Sequence, residues 1–319
     1  PLYLKALTAA DVNLSSIKEV DQISTLPVSE KISDKLAAWT KQAKITKKEA
    51  DNLPLLKLDH VGYQYSKNQP YPLKDVSTTI NQGDFISIVG QNGAGKTTLC
   101  RTICGFISNE GKITLKDQNL SDLSIKERAE KIGYVMQDPN QMISQKMIFD
   151  EIALGLRLRN VDEETIKQKV DQTLKICGLY PFRHWPISAL SFGQKKRVTI
   201  AAILVLEPEI IILDEPTAGQ DWKTYTEIMS FLKHLNTIGK TIIIITHDMH
   251  LMLEYTSRSL AFAKGKLIAD TTPIKLLTNQ ALIKEASLKR TSLYDLAKHY
   301  NLPDPNKFVQ AYINFEQQN

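Results

Sequence analysis

The sequence predicts an α/β fold with a mostly parallel sheet, and two observations carry that expectation. Short apolar runs recur at "FISIVG", "IGYVM", "EIIILDE", "TIIIITHD" and "RSLAFAKGKLIAD", with helical stretches between them around 161–177, 194–206 and 222–235. Strands buried on both faces read as continuous apolar runs, and alternation with helices supplies the crossovers that parallel pairing needs. Length and composition agree. The 319 residues exceed one typical domain, which runs to roughly 100–200 residues. With 42% hydrophobic and 24% charged residues, wholesale disorder, collagen and coiled-coil rods are excluded.

Residues 1–53 contain no arginine and include the lysine-rich "TKQAKITKKEADNLP". Leu36, Ala37 and Trp39 suit a short helix, and a linker or the tail of something upstream is expected here. From Leu55 the pattern changes: "LLKLDHVGYQY" alternates as a half-buried strand does. The stretch from Asp138 to Ala189 lacks strand character and reads as a helical insertion, and after Thr272 the chain turns helical again. Cys100, Cys104 and Cys177 are too few for a disulfide scaffold, so a reducing compartment is expected. Lys plus Arg is 40 against 35 for Asp plus Glu, a balance of +5 with a pI near 8.9. Such a mild excess suits an anionic ligand or a membrane surface and does not call for nucleic acid. No uncharged run approaches the roughly 18–20 residues that cross a bilayer. No signal peptide opens the chain, and Pro1 in place of Met suggests a fragment or a processed form.

Gly90-Gln91-Asn92-Gly93-Ala94-Gly95-Lys96-Thr97-Thr98 fits G-x-x-x-x-G-K-[ST], after an apolar strand and before a helix. Glycines let the backbone curl so that its N–H groups face phosphate oxygens, and the helix start adds its positive dipole end. Lys96 would neutralise the outer phosphates, and the Thr97 hydroxyl would ligate Mg²⁺. Ile210 to Leu213 place Asp214 at the carboxyl end of a buried strand, where it would hold the metal, with Glu215 orienting or deprotonating the attacking water. Gln137 follows "IGYVM" and could reach the metal or the water. His247 closes "TIIIITHD" at another strand end, in reach of a terminal phosphate.

"LSFGQKKRVTIAAILVLEPEIIILDEPTAG" resembles the signature and Walker B segments of ATP-binding-cassette ATPases. With the Gln137 loop and "ITHD", the chain looks like a complete cassette from about Leu55 to Ala269. "VMQDPNQMI", "DEIALGLRLRN" and "TAGQD" are similar in detail to the ATPases of energy-coupling-factor importers, the cobalt and vitamin group. The resemblance implies a P-loop NTPase core with an N-terminal antiparallel β subdomain and a helical subdomain at about 138–189. It places the nucleotide-binding domain at 54–272, a helical extension at 273–319, and the tail of a preceding cassette plus linker at 1–53. By the same resemblance Tyr65 stacks on adenine, with Tyr63 an alternative, and Gln137 joins the metal to the helical subdomain. Ser191, Phe192, Gly193 and Gln194 form the signature that caps ATP held by the opposing cassette. Asp221 belongs to the loop crossing the dimer interface, and His247 is the switch histidine. Phe192 stands where glycine is most common and Gln220 where an apolar residue is. The implied function is ATP- and Mg²⁺-dependent import of a vitamin, precursor or metal ion. Its partners would be a second cassette (an upstream half or a homodimer), a transmembrane subunit and a substrate-binding membrane subunit, at the cytoplasmic face. The competing readings are a soluble tandem cassette acting on ribosomes or nucleic acid, and a regulator that binds nucleotide without turnover.

Overall fold

The computed structural model describes residues 2–14, 22–42, 53–65 and 71–318. Residues 43–52 of the lysine-rich stretch lie outside them. Helices α1 (Leu2–Ala9) and α2 (Glu30–Gln42) precede strand β1 (Pro54–Tyr63), which pairs antiparallel with β2 (Leu73–Asn81). Then follow β3 (Phe85–Val89), helix α3 (Lys96–Cys104), β4 (Glu110–Leu115) and the short β5 (Gln118–Asn119). A four-stranded antiparallel sheet in the order β2-β1-β4-β5 results. Strict alternation fails in β1: Leu55 and Leu56, and again Val61 and Gly62, are buried side by side, because register shifts against β2 interrupt the two-residue period there.

After α4 (Ile125–Ala129) come β6 (Ile132–Val135), helices α5 (Ile148–Arg157), α6 (Glu163–Ile176) and α7 (Phe192–Leu204), then β7 (Ile210–Asp214). Helix α8 (Trp222–Thr237), β8 (Thr241–Ile245), α9 (Met249–Tyr255), β9 (Arg258–Ala263) and β10 (Lys266–Thr271) complete the second sheet. Its order is β10-β9-β3-β8-β7-β6, parallel from β9 to β6. Every residue of β3 and β8 is buried, as two covered faces require. One reading differs in detail: "RSLAFAKGKLIAD" is two antiparallel strands rather than one. Lys264 and Gly265 both take positive φ (49° and 81°), so a two-residue primed turn reverses the chain there.

Four parallel neighbours set the geometry of everything that follows. The carboxyl ends of β3, β8, β7 and β6 lie side by side, so the segments leaving them converge on one edge. Helices α5, α6 and α7 pack together through Ile148, Ile152, Val170, Leu174 and Val198. Met142, Ile143 and Phe149 lean half-buried against that core.

Helices α10 (Pro273–Thr278), α11 (Gln280–Glu285), α12 (Ser292–His299) and α13 (Pro305–Gln318) end the chain. They share a core with the amino-terminal segment: Tyr3, Leu7 and Leu36 are buried with Leu293, Leu296, Phe308 and Tyr312. Trp39 meets Phe308 edge-to-face at 5.8 Å, and Ser33 donates to the Tyr300 carbonyl at 2.9 Å. Met252 and Leu253 of α9 join this cluster and dock it on the sheet.

Candidate functional site

The loop from Gly90 to Gly95 wraps between β3 and α3 in a conformation only glycine reaches at its ends. Gly90 has φ 143° and Gly95 φ 105°, and an added Cβ would sit 2.2 Å from the Phe262 carbonyl oxygen and 2.3 Å from that of Pro72. The loop backbone therefore presses against β9 on one side and the start of β2 on the other. Lys96 lies inside it, its Nζ donating to the carbonyls of Gly90 (2.7 Å) and Gln91 (3.0 Å). Burial lowers the Lys96 pKa, opposed by the attraction of Glu215 and Asp214.

The end of β7 faces this loop. Thr97 Oγ1 lies 3.4 Å from Asp214 Oδ2, and Tyr134 donates its hydroxyl to the same oxygen at 2.9 Å. Burial and the neighbouring Asp214 raise the Tyr134 pKa, so the phenol stays a donor. Glu215 takes φ 42°, a region a non-glycine residue enters at a cost, and such strain gathers at functional sites. Its N–H donates to the Ile245 carbonyl at 2.9 Å. One carboxylate oxygen accepts from Gln137 Nε2 at 3.0 Å, and the other lies 3.2 Å from His247 Nε2. Burial first, then Lys96, lowers the His247 pKa, against the pull of Glu215 and Asp214. The balance favours the neutral ring, which can donate from Nε2.

The structure therefore brings Lys96, Thr97, Asp214, Glu215, Gln137 and His247 to one edge. The Thr97 hydroxyl and the Asp214 carboxylate, with the Gln137 amide near by, are hard oxygen donors of the kind Mg²⁺ takes, and so the residues fit that ion. Among the described residues no group of three or more His, Cys, Asp or Glu is arranged to cage a metal. Mg²⁺ needs no such cage when phosphates complete its shell.

The second group lies elsewhere. Ser191 caps α7 in a reciprocal box: its backbone N–H donates to Gln194 Oε1 at 2.9 Å, and the Gln194 N–H to Ser191 Oγ at 3.3 Å. Phe192 stands 43% exposed on the first turn. Gly193 packs on α8, where an added Cβ would meet Thr224 Cγ2 at 2.3 Å. Thr224 in turn holds Asp221, donating from N at 3.0 Å and from Oγ1 at 2.9 Å. Among the described residues no hydrogen bond or ion pair joins Ser191–Gln194 to the Gly90–Thr98 loop. Tyr65 lies beyond the end of β1, 60% exposed, edge-on to Tyr63 at 4.9 Å.

Two contributors escape a reading of the sequence. Tyr134 hides inside an apolar strand, and only the register of β6 against β7 aims its hydroxyl at Asp214. Lys196 is 1% exposed and donates to the carbonyls of Met136 (2.7 Å) and Gln137 (2.6 Å). The run "QKKR" signals a solvated face, and nothing in it marks the second lysine as buried. A cleft of about 520 Å³ adjoins the site, with Glu215, Thr217 and His247 on one wall and Lys289, Arg290 and Thr291 on another.

Comparison with known proteins finds the same architecture. Residues 73–218 match the family described as ABC transporter, and residues 1–63 match one described as ATP-binding cassette cobalt transporter. A protein of Lactobacillus johnsonii, provisionally described as an ABC transporter ATP-binding protein, is 99% identical over all 319 residues. One of Enterococcus faecalis with the same description is 53% identical over 319 residues. The chain spans 56% of the length of these curated relatives. Among solved structures, CbiO1 of Clostridium perfringens, part of the ABC transporter complex cbiONQ, is 33% identical with a TM-score of 0.67, over 72% of this chain and 93% of that one. A dimeric ATP-binding cassette in a post-hydrolysis state with ADP and Pi is 31% identical with a TM-score of 0.61, over 69% and 99% of the two chains.

Proposed function

The chain belongs to the ATPase cassettes of ABC transporters, and from that premise we propose that it is one of two cassettes whose joint ATP hydrolysis drives import of a small solute through membrane subunits. The observation that carries the hydrolytic part is the grip on Glu215, with Gln137 at 3.0 Å and His247 at 3.2 Å fixing its two oxygens beside the Lys96 loop. A carboxylate held on both oxygens is aimed, and an aimed base is what in-line attack of water on a γ-phosphate needs. In this reading the Gly90–Thr98 loop binds the phosphates, with Lys96 moving from the Gly90 and Gln91 carbonyls to their oxygens. Glu215 orients the water and takes its proton, while the single Nε2–H of His247 passes from Glu215 to the γ-phosphate once nucleotide is bound. Mg²⁺, held by Thr97 and Asp214 with Gln137, supplies charge that offsets the phosphates when bound. Tyr65 or Tyr63 offers the adenine a ring face.

The second cassette enters because Ser191–Gln194 and Asp221 share no hydrogen bond with this chain's own phosphate loop. We assign them to ATP held by an opposing cassette, with residues 54–272 forming the domain that pairs and 138–189 its helical subdomain. The greater length of the curated relatives leaves room for such a cassette in the same polypeptide. A vitamin, its precursor or a metal ion is the proposed cargo class, supported by the cobalt-transporter description matched at 1–63 and by the complex to which CbiO1 belongs. No helix of the described residues is long and apolar enough to cross a membrane. In this reading separate membrane subunits carry the solute and this chain sits peripherally at the cytoplasmic face, which the membership of CbiO1 in a transporter complex supports.

A dilution series tests shared sites. Turnover per chain of the isolated chain should fall steeply on dilution and be restored by the remainder of the longer protein. Turnover that stays flat over a thousandfold dilution would refute shared sites. Copurification with native membranes tests the transport reading, and copurification with ribosomes instead would favour the soluble alternative.

A further inference from the structure

Lys196 is the most deeply buried cation in the described structure, at 1% exposure, and no carboxylate lies within ion-pair distance of it. Its ammonium instead meets two neutral carbonyls, those of Met136 and Gln137. Burying a charge against neutral partners costs stability that a well-packed apolar side chain would not. Burial lowers its pKa to about 8 even with Asp214, Asp138 and Glu215 pulling the other way.

The two ends of this contact explain what the charge does. β6 is the edge strand of its sheet, and Met136 and Gln137 leave its carboxyl end. Lys196 satisfies both of their carbonyls, so it pins the backbone at the residue whose side chain reaches Glu215. The other end of the contact is α7, five residues after its cap Ser191. A helix moves as a rigid body over one and a half turns. Any displacement of Ser191–Gln194 therefore carries the Gln137 backbone with it, through two short charge-assisted hydrogen bonds.

We propose that Lys196 is a positioning residue: its ammonium locks the Gln137 backbone to the signature helix, so that the place of Gln137 beside Glu215 follows the place of Ser191–Gln194. The inference rests on the ATP-hydrolysis reading above. It adds a mechanical link from the surface that meets the opposing cassette to the group that aims the base of the same chain. Phe192 can then be tolerated in the signature, because the link runs through the helix body rather than through that side chain.

The test is a double-mutant cycle in the full-length protein, comparing the parent, Lys196→Met, Gln137→Ala and the double variant. Each is assayed for kcat, KM for ATP, direct ATP affinity and thermal unfolding. Lys196→Met should lower kcat by about tenfold while KM and ATP affinity stay within about twofold. The double variant should be no more than about twofold slower than Gln137→Ala alone, because both substitutions break one path. A general loss of packing would instead multiply the two effects, and multiplied effects would overturn the proposal. So would a Lys196→Met variant within about twofold of the parent. If Lys196→Met does not fold, Lys196→Leu, which also removes the donor, enters the same cycle with the same criterion. A parent that binds ATP without turnover would sink the hydrolysis reading and this inference together. A parent that turns over ATP with multiplied effects sinks this inference alone.

Discussion

Replacing Glu215 by glutamine tests the assignment of the base, because the structure separates charge from shape at that position. Glutamine has the same length and keeps one acceptor oxygen. That oxygen can face Gln137 Nε2, now 3.0 Å from a carboxylate oxygen. The new amide nitrogen then faces His247 Nε2, at 3.2 Å in the native pair. Two donors would clash there if the ring kept its proton on Nε2. Burial and Lys96 depress the ring's pKa and favour its neutral form, in which the proton can move to Nδ1 and leave Nε2 as an acceptor. Position and hydrogen bonding are therefore retained, and only the charge and basicity are lost. General-base catalysis contributes roughly 10²–10⁴ in rate, or about 3–5 kcal/mol of barrier at 1.36 kcal/mol per decade. Glu215→Gln should thus turn over ATP at least about 100-fold more slowly in single-turnover phosphate release. ATP affinity should be unchanged or higher, since a negative charge near the terminal phosphate is gone. Turnover within about tenfold of the parent would refute the base assignment. Affinity falling in step with turnover would show that the substitution disturbed the cradle instead.

Lys96→Ala should do the reverse, weakening binding of a fluorescent ATP analogue by at least about tenfold, since a charge-assisted phosphate contact is worth roughly 1.5–3 kcal/mol. Unchanged affinity would contradict the phosphate role. Gly193→Ala should destabilise the protein by about 1–3 kcal/mol in urea denaturation, because the new Cβ falls 2.3 Å from Thr224 Cγ2. Adding Thr224→Ser, which deletes that methyl and keeps the hydroxyl on Asp221, should recover most of the loss; no recovery would place the strain elsewhere. Phe308→Ala should cost about 3–5 kcal/mol and alter the fluorescence of Trp39, whose ring it meets. Unaltered Trp39 emission would mean that the two chain ends do not share a core in solution.

The sequence exposed what is local. Gly90–Thr98, Asp214, Glu215, Gln137 and His247 each follow an apolar run, and a polar residue at the end of a buried parallel strand is displayed at the sheet edge by geometry alone. Their pairwise contacts were not legible, because Gln137 meets Glu215 only through strand order, which no single segment encodes. Tyr134 and Lys196 were missed for the same reason: alternation along one strand or helix says nothing about what crosses from a neighbour. The amino-terminal segment shows the largest gap. Tyr3 and Leu7 stand one helical turn apart, but so short a stripe, far from Leu36 in sequence, does not say what covers it, and their burial depends on α12 and α13 far along the chain.

That dependence has a consequence for how the protein is made. Tyr3, Leu7 and Leu36 leave the ribosome early, whereas Leu293, Phe308 and Tyr312 emerge only after the whole cassette between them. At roughly 5–20 residues per second, the early residues wait on the order of ten seconds or more without their native cover. The cassette can form its sheets in that interval, since α9 and both sheets precede α10. The shared core closes last, like a clasp whose halves are sewn to opposite ends of a belt. Nascent chains stalled before Phe308 should therefore hold a folded cassette with the segment bearing Tyr3, Leu7 and Leu36 protease-sensitive, and synthesis through α13 should protect that segment and α12–α13 at once.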